Sequence, residues 1–175
     1  QYVLKKVEES RKILFNQREK RVHPLRDEKI LTDWSSLMIS ALVKAYLVFN
    51  KEEYLNKSLK AFSFIKNNLW VDDILFHRYK DEEVKFNGNL DDYSFFIQAN
   101  LDLFDATSEA DYLKFAIKLN QILNEKFWDK ENGGYFFTSS DSEKLISRQK
   151  ELYDGAIPSG NSVQLLNLIR LSRLN

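Results

Sequence analysis

One repeat limits what this chain can become. Leu31-Thr32-Asp33-Trp34 and Leu90-Asp91-Asp92-Tyr93 each open a helical pattern. Tyr54-Leu55 answers to Tyr112-Leu113, and Leu69-Trp70 to Phe127-Trp128, at a spacing of about 58–60 residues. Leu75-Phe76 falls near Tyr135-Phe136 in the same frame, and Ser159-Gly160-Asn161-Ser162 starts a third copy. Each unit reads helix, short turn, helix, small hairpin. A period of this length signals a solenoid or closed ring of helical hairpins, whose units bury their apolar faces against one another.

The two helices of a unit differ in pattern. The first ones, with Leu37, Met38, Ile39, Leu42 and Ala45, then Phe95, Phe96, Ile97, Ala99, Leu101 and Leu103, are apolar nearly all round. The second ones carry one apolar stripe, as in Tyr112, Ala116, Leu119, Leu123 and Phe127. A helix apolar all round is buried, and a striped one faces water. An inner ring of first helices inside an outer ring of second helices satisfies both patterns. The expected fold is therefore all-α: a partial (α/α)6 toroid of αα-hairpin repeats with small β-hairpin connectors. Only five Gly and two Pro in 175 residues agree with long helices.

Along the chain, helices are expected over about 1–21, 32–50, 51–69, 91–107 and 108–128, with a last one opened by Ser159. Thr32 or Asp33 is the expected cap of the second, and Ser108 with Asp111 the start of the fifth. Ile74 to Tyr79 and the charged segment Lys80 to Lys85 read as a hairpin and its solvated tip, and Tyr135 to Thr138 as a strand. The chain opens and closes inside helical patterns, so residues 1–175 read as about half of a toroid.

Charge excludes some partners. The 26 Lys and Arg balance 26 Asp and Glu, so no basic excess exists to neutralise nucleic-acid phosphates. Without cysteine, disulfides, thiolate nucleophiles and Cys-ligated metals are excluded. Two histidines, His23 and His77, make a His-rich metal site unexpected. No cofactor or metal is expected. No apolar run is long enough for a membrane span, and the expected location is cytoplasmic. Half a ring would leave apolar edges exposed, so a homodimer of the fragment is expected.

Longer motifs narrow the reading. Arg18-Glu-Lys-Arg-Val-His-Pro24, Asp27-Glu-Lys-Ile-Leu-Thr-Asp-Trp34, Leu90-Asp-Asp-Tyr93 and Tyr153-Asp-Gly-Ala-Ile-Pro-Ser-Gly-Asn-Ser162 resemble the thioredoxin-domain-containing, spermatogenesis-associated protein 20-like family. That resemblance implies a parent with a thioredoxin-like domain, absent here, followed by an (α/α)6 barrel similar to N-acylglucosamine 2-epimerases and six-hairpin glycosidases. Ser35-Ser36 stands where the family has Asn-Gly, and Gln149 where it has Pro. The resemblance assigns no reaction.

In such a ring the inner-helix N-termini share a mouth, where backbone N–H groups favour anions and hydroxyls. Asp33-Trp34, Asp91-Asp92-Tyr93 and Asp154 through Asn161 fall at three such starts. Carboxylates beside aromatic rings suit a sugar, because acids bind hydroxyls or move protons and rings stack on the apolar sugar face. Asp92 and Asp154 are the candidate catalytic acids. Trp34, Tyr93, Asp91, Asn161, Lys29 and Arg148 are the candidate substrate-binding residues. Each has a structural alternative: Asp33, Asp91 and Ser159 as caps, Trp34 and Tyr93 as core aromatics, Lys29 and Arg148 as ion-pair partners of Asp27, Glu28 or Glu151. Asp92 is preferred because a second acid at one helix start is not needed for capping. His23 and His77 are possible proton shuttles away from the helix starts. The expected function is a sugar epimerase or isomerase acting on a small sugar, with the essential base outside the fragment and the fragment inactive alone. Alternatives are a non-catalytic scaffold attached to the thioredoxin-like domain, or a glycoside hydrolase.

Overall fold

The computed structural model describes residues 1–142 and 146–174. Three helices stand side by side: α2 (Thr32–Phe49), α4 (Leu90–Thr107) and α6 (Gly160–Leu174), with α4 in the middle. Two more lie behind them, α3 (Glu52–Asn68) against α2 and α5 (Ala110–Phe127) against α4. This is an arc of an α/α toroid, with α2, α4 and α6 in the inner positions.

Burial follows the two sequence patterns. In α4, Leu90 to Ile97 are all buried, as are Ala99, Asn100, Leu101, Asp102 and Leu103, because neighbours close in from three sides. In α5 only the stripe Phe115, Ala116, Leu119, Leu123 and Phe127 is buried. Phe62 of α3 joins the layers, with its ring centroid 5.6 Å from Phe96 and 4.9 Å from Tyr112. The flanking inner helices have a neighbour on one side only, so Met38, Leu47, Val48 and Phe49 of α2 and Leu165 and Leu166 of α6 are exposed. The first helix, α1 (Tyr2–Arg18), buries none of its apolar stripe.

The hairpin expected near residue 74 is part of a small antiparallel sheet. Strand β3 (Ile74–Lys80) pairs with β1 (Ile30–Leu31), β2 (Trp70–Val71) and β4 (Glu83–Asn87). Asp81 and Glu82 turn the β3–β4 hairpin with φ of 50° and 59°, the handedness that matches strand twist. Leu31 and Lys85 both face Arg78 across the sheet, so β1 delivers the start of α2 beside the middle of β3.

Several expectations change. Neither Thr32 nor Asp33 caps α2, which already begins at Thr32 with Leu31 in the cap position. Of the tip expected over Lys80 to Lys85, Glu83 to Lys85 belong to β4. Ser108 does not open the fifth helix: it closes α4 in a left-handed conformation at φ 59°, and α5 begins at Ala110. The strand expected at Tyr135 to Thr138 reduces to one bridge, Trp128 to Tyr135, because the Tyr135 backbone pairs with the Asn161 side chain instead. The last helix starts as expected, with Ser159 Oγ accepting from the Ser162 N–H at 3.2 Å. Among the described residues, no helix is long and apolar enough to cross a membrane.

Candidate functional site

The site grows from the start of α4. Its cap is Asn89, whose side-chain oxygen accepts from the N–H groups of Asp91 and Asp92. Asp92 closes the box by accepting from the Asn89 N–H at 2.8 Å. The second acid at this helix start therefore is a capping residue, contrary to the reasoning that set it apart. Asp92 does more than cap its own helix. Its Oδ1 also accepts from the Asp33 N–H at 3.0 Å, satisfying the first turn of α2, which has no cap of its own. One fully buried carboxylate thus ties two inner helices together.

The remaining face of Asp92 takes a histidine. His77 Nδ1 lies 3.0 Å from both carboxylate oxygens; those oxygens only accept, so Nδ1 donates. The Asp92 hydrogen bond pushes the His77 pKa above its usual 6.5, against the opposing effect of burial. With Nδ1 committed, Nε2 has no protein partner among the described residues. His77 lines an open cleft of about 660 Å³ together with Asp27, Lys29, Leu31, Trp34, Met38, Arg78 and Phe86. An imidazole oriented by a buried acid and an exposed aromatic ring meet there.

Asp33, His77 and Asp92 each offer a ligand atom within 4.8 Å of the others. Spacing alone would admit a cation. However, the Asp33 and Asn89 N–H groups already aim at the Asp92 oxygens, and donors pointing at a ligand oxygen suit a proton-holding group better than a cation. Burial, and then the Asp92 charge, raise the Asp33 pKa.

Asp91 faces the other way, toward α6. It is 9% exposed, and its Oδ1 has no hydrogen-bond partner. Burial lifts its pKa from 3.8 to about 6, with the Gly160 N–H pulling against the shift and Glu151, Asp92 and Asp33 adding to it. A Cβ at Gly160 would come within 2.5 Å of Asp91 Oδ1, so the absence of a side chain there lets α6 approach.

The other candidates divide. Trp34 is 62% exposed and lines the cleft. Lys29 lines it too, paired with Asp27 at 3.1 Å. Tyr93 is 3% exposed, its ring against Phe127 and its hydroxyl accepting from the Leu75 N–H; it has no free face for a sugar. Asn161 spends its amide on the backbone of Tyr135 and Glu151. Asp154, on an exposed loop, accepts from the Ser159 N–H, which with the Ser162 hydroxyl holds its pKa below 3.8. Arg148 stacks on Phe136 and donates to the carbonyls of Thr138 and Lys126 rather than to a carboxylate. His23 is exposed beside Glu19. The third helix start is thus held by bonds to the protein's own backbone and side chains, and the cleft belongs to the first start together with β1, β3 and β4.

No family model matches the chain. It is 35% identical to an uncharacterized protein of Caenorhabditis elegans, over 95% of this chain and 24% of that protein. It is 32% identical to spermatogenesis-associated protein 20 of Rattus norvegicus, over 92% of this chain and 22% of that one. The chain is a homologue of the spermatogenesis-associated protein 20 proteins. It spans about a quarter of the length of these relatives. Two sugar-processing enzymes share its architecture. Cellobiose 2-epimerase from Bacillus thermoamylovorans superposes with a TM-score of 0.70 at 18% identity, over 86% of this chain and 41% of that one. A family 76 glycoside hydrolase (mannosidase) from Bacteroides thetaiotaomicron gives 0.69 at 16% identity, over 87% and 41%. Such identities show the α/α-toroid fold, which epimerases and hydrolases share.

Proposed function

We propose that the cleft beside β3 binds a small sugar and that the His77–Asp92 pair moves a proton at the carbon next to its carbonyl. The observation that carries this reading is the buried Asp92 carboxylate holding His77 Nδ1 while the imidazole borders a cleft lined by Trp34. In that arrangement the neutral ring presents Nε2 as a base, and Asp92 stabilises the imidazolium formed when Nε2 takes the proton. Trp34 offers the apolar face on which a sugar ring stacks. The C–H electron pair passes into an enediolate, and Nε2 returns the proton. Return to the neighbouring carbon on the same face, with the hydroxyl proton of the starting carbon passing to the former carbonyl oxygen, completes an isomerisation; epimerisation needs return to the same carbon from the opposite face, by water or a second group.

Hydrolysis is less well supported. It requires two carboxyls flanking the scissile bond, about 5–9.5 Å apart. Asp33 and Asp92 offer oxygens within 4.8 Å of one another, and Asp92 is fully buried behind His77. Cleavage at the cleft would therefore have to use other acids.

The test is proton exchange in deuterium oxide with glucose, mannose, N-acylglucosamine and cellobiose, followed by NMR at the carbon beside the carbonyl. Deuterium incorporation is expected, rising with pH as His77 loses its proton above pH 6.5. His77→Ala is expected to cut it by about 100-fold or more. No exchange by a protein that binds these sugars would leave a binding scaffold as the better reading.

A further inference from the structure

Arg78 is the one cation on this cleft that the described residues leave without a carboxylate. Its neighbour in the lining, Lys29, is paired with Asp27 at 3.1 Å. Lys85, across the sheet from Arg78, is paired with Glu83 at 2.8 Å. Glu28 is taken by Arg26. The Arg78 side chain has no ion pair and no hydrogen bond among the described residues, and its Nε is buried without a partner. The Nε–H is closed off from solvent, so an acceptor from outside the chain would meet the terminal N–H groups of the guanidinium. The acids nearest to the adjacent His77, Asp92 and Asp33, accept from backbone N–H groups.

The side chain is also held in place. Its guanidinium sits over the Phe86 ring, 5.0 Å from the centroid. Phe86 is a strand residue at φ 63°, a left-handed conformation that is strained for a non-glycine residue. Register places Phe86 opposite His77, between the pairs Phe76 with Asn87 and Arg78 with Lys85. The planar guanidinium thus lies on an aromatic platform, and Arg78 and His77 both line the cleft. A fork of N–H donors fixed this way matches a carboxylate or phosphate in two-point contact.

We infer that the cleft is built for an anionic sugar, a uronate or sugar phosphate, whose charged group binds Arg78 while its carbonyl end, in the open-chain form, lies toward His77 and its apolar C–H face on Trp34. This rests on the sugar-binding reading above and adds the charge of the substrate.

The experiment titrates the protein with glucuronate, glucose 6-phosphate and glucose at low salt, following the Trp34 indole N–H by NMR. At least one charged sugar is expected to bind tenfold or more tightly than glucose, and the tighter of the two identifies the anion. Raising the salt to 0.5 M should shrink that preference several-fold, a readout that needs no variant. Arg78→Gln should bring charged and neutral sugars within about twofold of each other, and Arg78→Lys should retain part of the preference. Glucose binding as tightly as both charged sugars would overturn the inference and leave sugar binding standing. No response to any of the three would overturn both readings.

Discussion

Trp34 and Tyr93 occupy equivalent positions one repeat apart, yet Trp34 is largely exposed at the cleft while Tyr93 is packed against Phe127 with its hydroxyl on the Leu75 N–H. Their preceding acids differ as sharply. Both are buried, but Asp92 accepts three donors, whereas Asp33 among the described residues accepts only from the adjacent Trp34 N–H. The cause is neighbours. The start of α4 is covered by α6, by Leu75 and by Phe127, while the start of α2 has α4 on one side and the small sheet on the other. One motif thus builds core in the middle of the arc and the lining of an open cleft at its flank. A repeat position sets where a side chain sits on its helix, and the packing around that helix decides what the side chain is for.

The sharpest way to break this comparison is to truncate both aromatics. Tyr93→Ala should cost about 4 kcal/mol through the cavity and the lost hydrogen bond, and Trp34→Ala about 0.5 kcal/mol or less, as read from urea-unfolding midpoints. Similar losses at the two positions would end the distinction.

The acids follow. Asp92→Asn turns amide hydrogens toward N–H donors and should cost about 3 kcal/mol, so it is a folding variant before it is a catalytic one. Asp33→Asn should be neutral or stabilising at pH 7. Burial and the Asp92 charge raise the Asp33 pKa, so its contribution is full below 3.8 and lost as pH climbs through the raised value.

Asp91 gives a smaller effect with a distinct pH signature. Its pKa of about 6 lies above the unfolded 3.8, so its contribution to stability is complete below 3.8 and falls away as pH rises through 6. Asp91→Asn should therefore gain about 2 kcal/mol at pH 7.5 and little at pH 4, in parallel melts. An equal gain at both pH values would contradict the burial of an ionising carboxyl at the α4–α6 contact.

Much of this fold was legible in the residues. The repeat, the all-round and striped helices and the existence of a hairpin after Ile74 all appear where pattern put them, because each is a local or periodic property. The tip expected over Lys80 to Lys85, however, narrows to Asp81-Glu82, with Glu83 to Lys85 in β4. The Asn89-x-x-Asp92 box was readable too, being a cap signature, but it is missed when the helix is started at Asp91. His77 was harder. Its meeting with Asp92 depends on β3 lying against β1 and on the two helix starts it reaches, contacts set by tertiary packing. Asn161 and Arg148 looked like ligand-binding groups because sequence shows donors and acceptors but not the backbone they satisfy.

The central claim is that Asp92 orients and charges His77 at the cleft. The most direct measurement is the NMR titration of the two histidines, with His23→Gln leaving His77 as the single signal. The account predicts a His77 pKa above 6.5 and a neutral form protonated at Nδ1. A pKa at or below 6.5, or a neutral form protonated at Nε2, would contradict it.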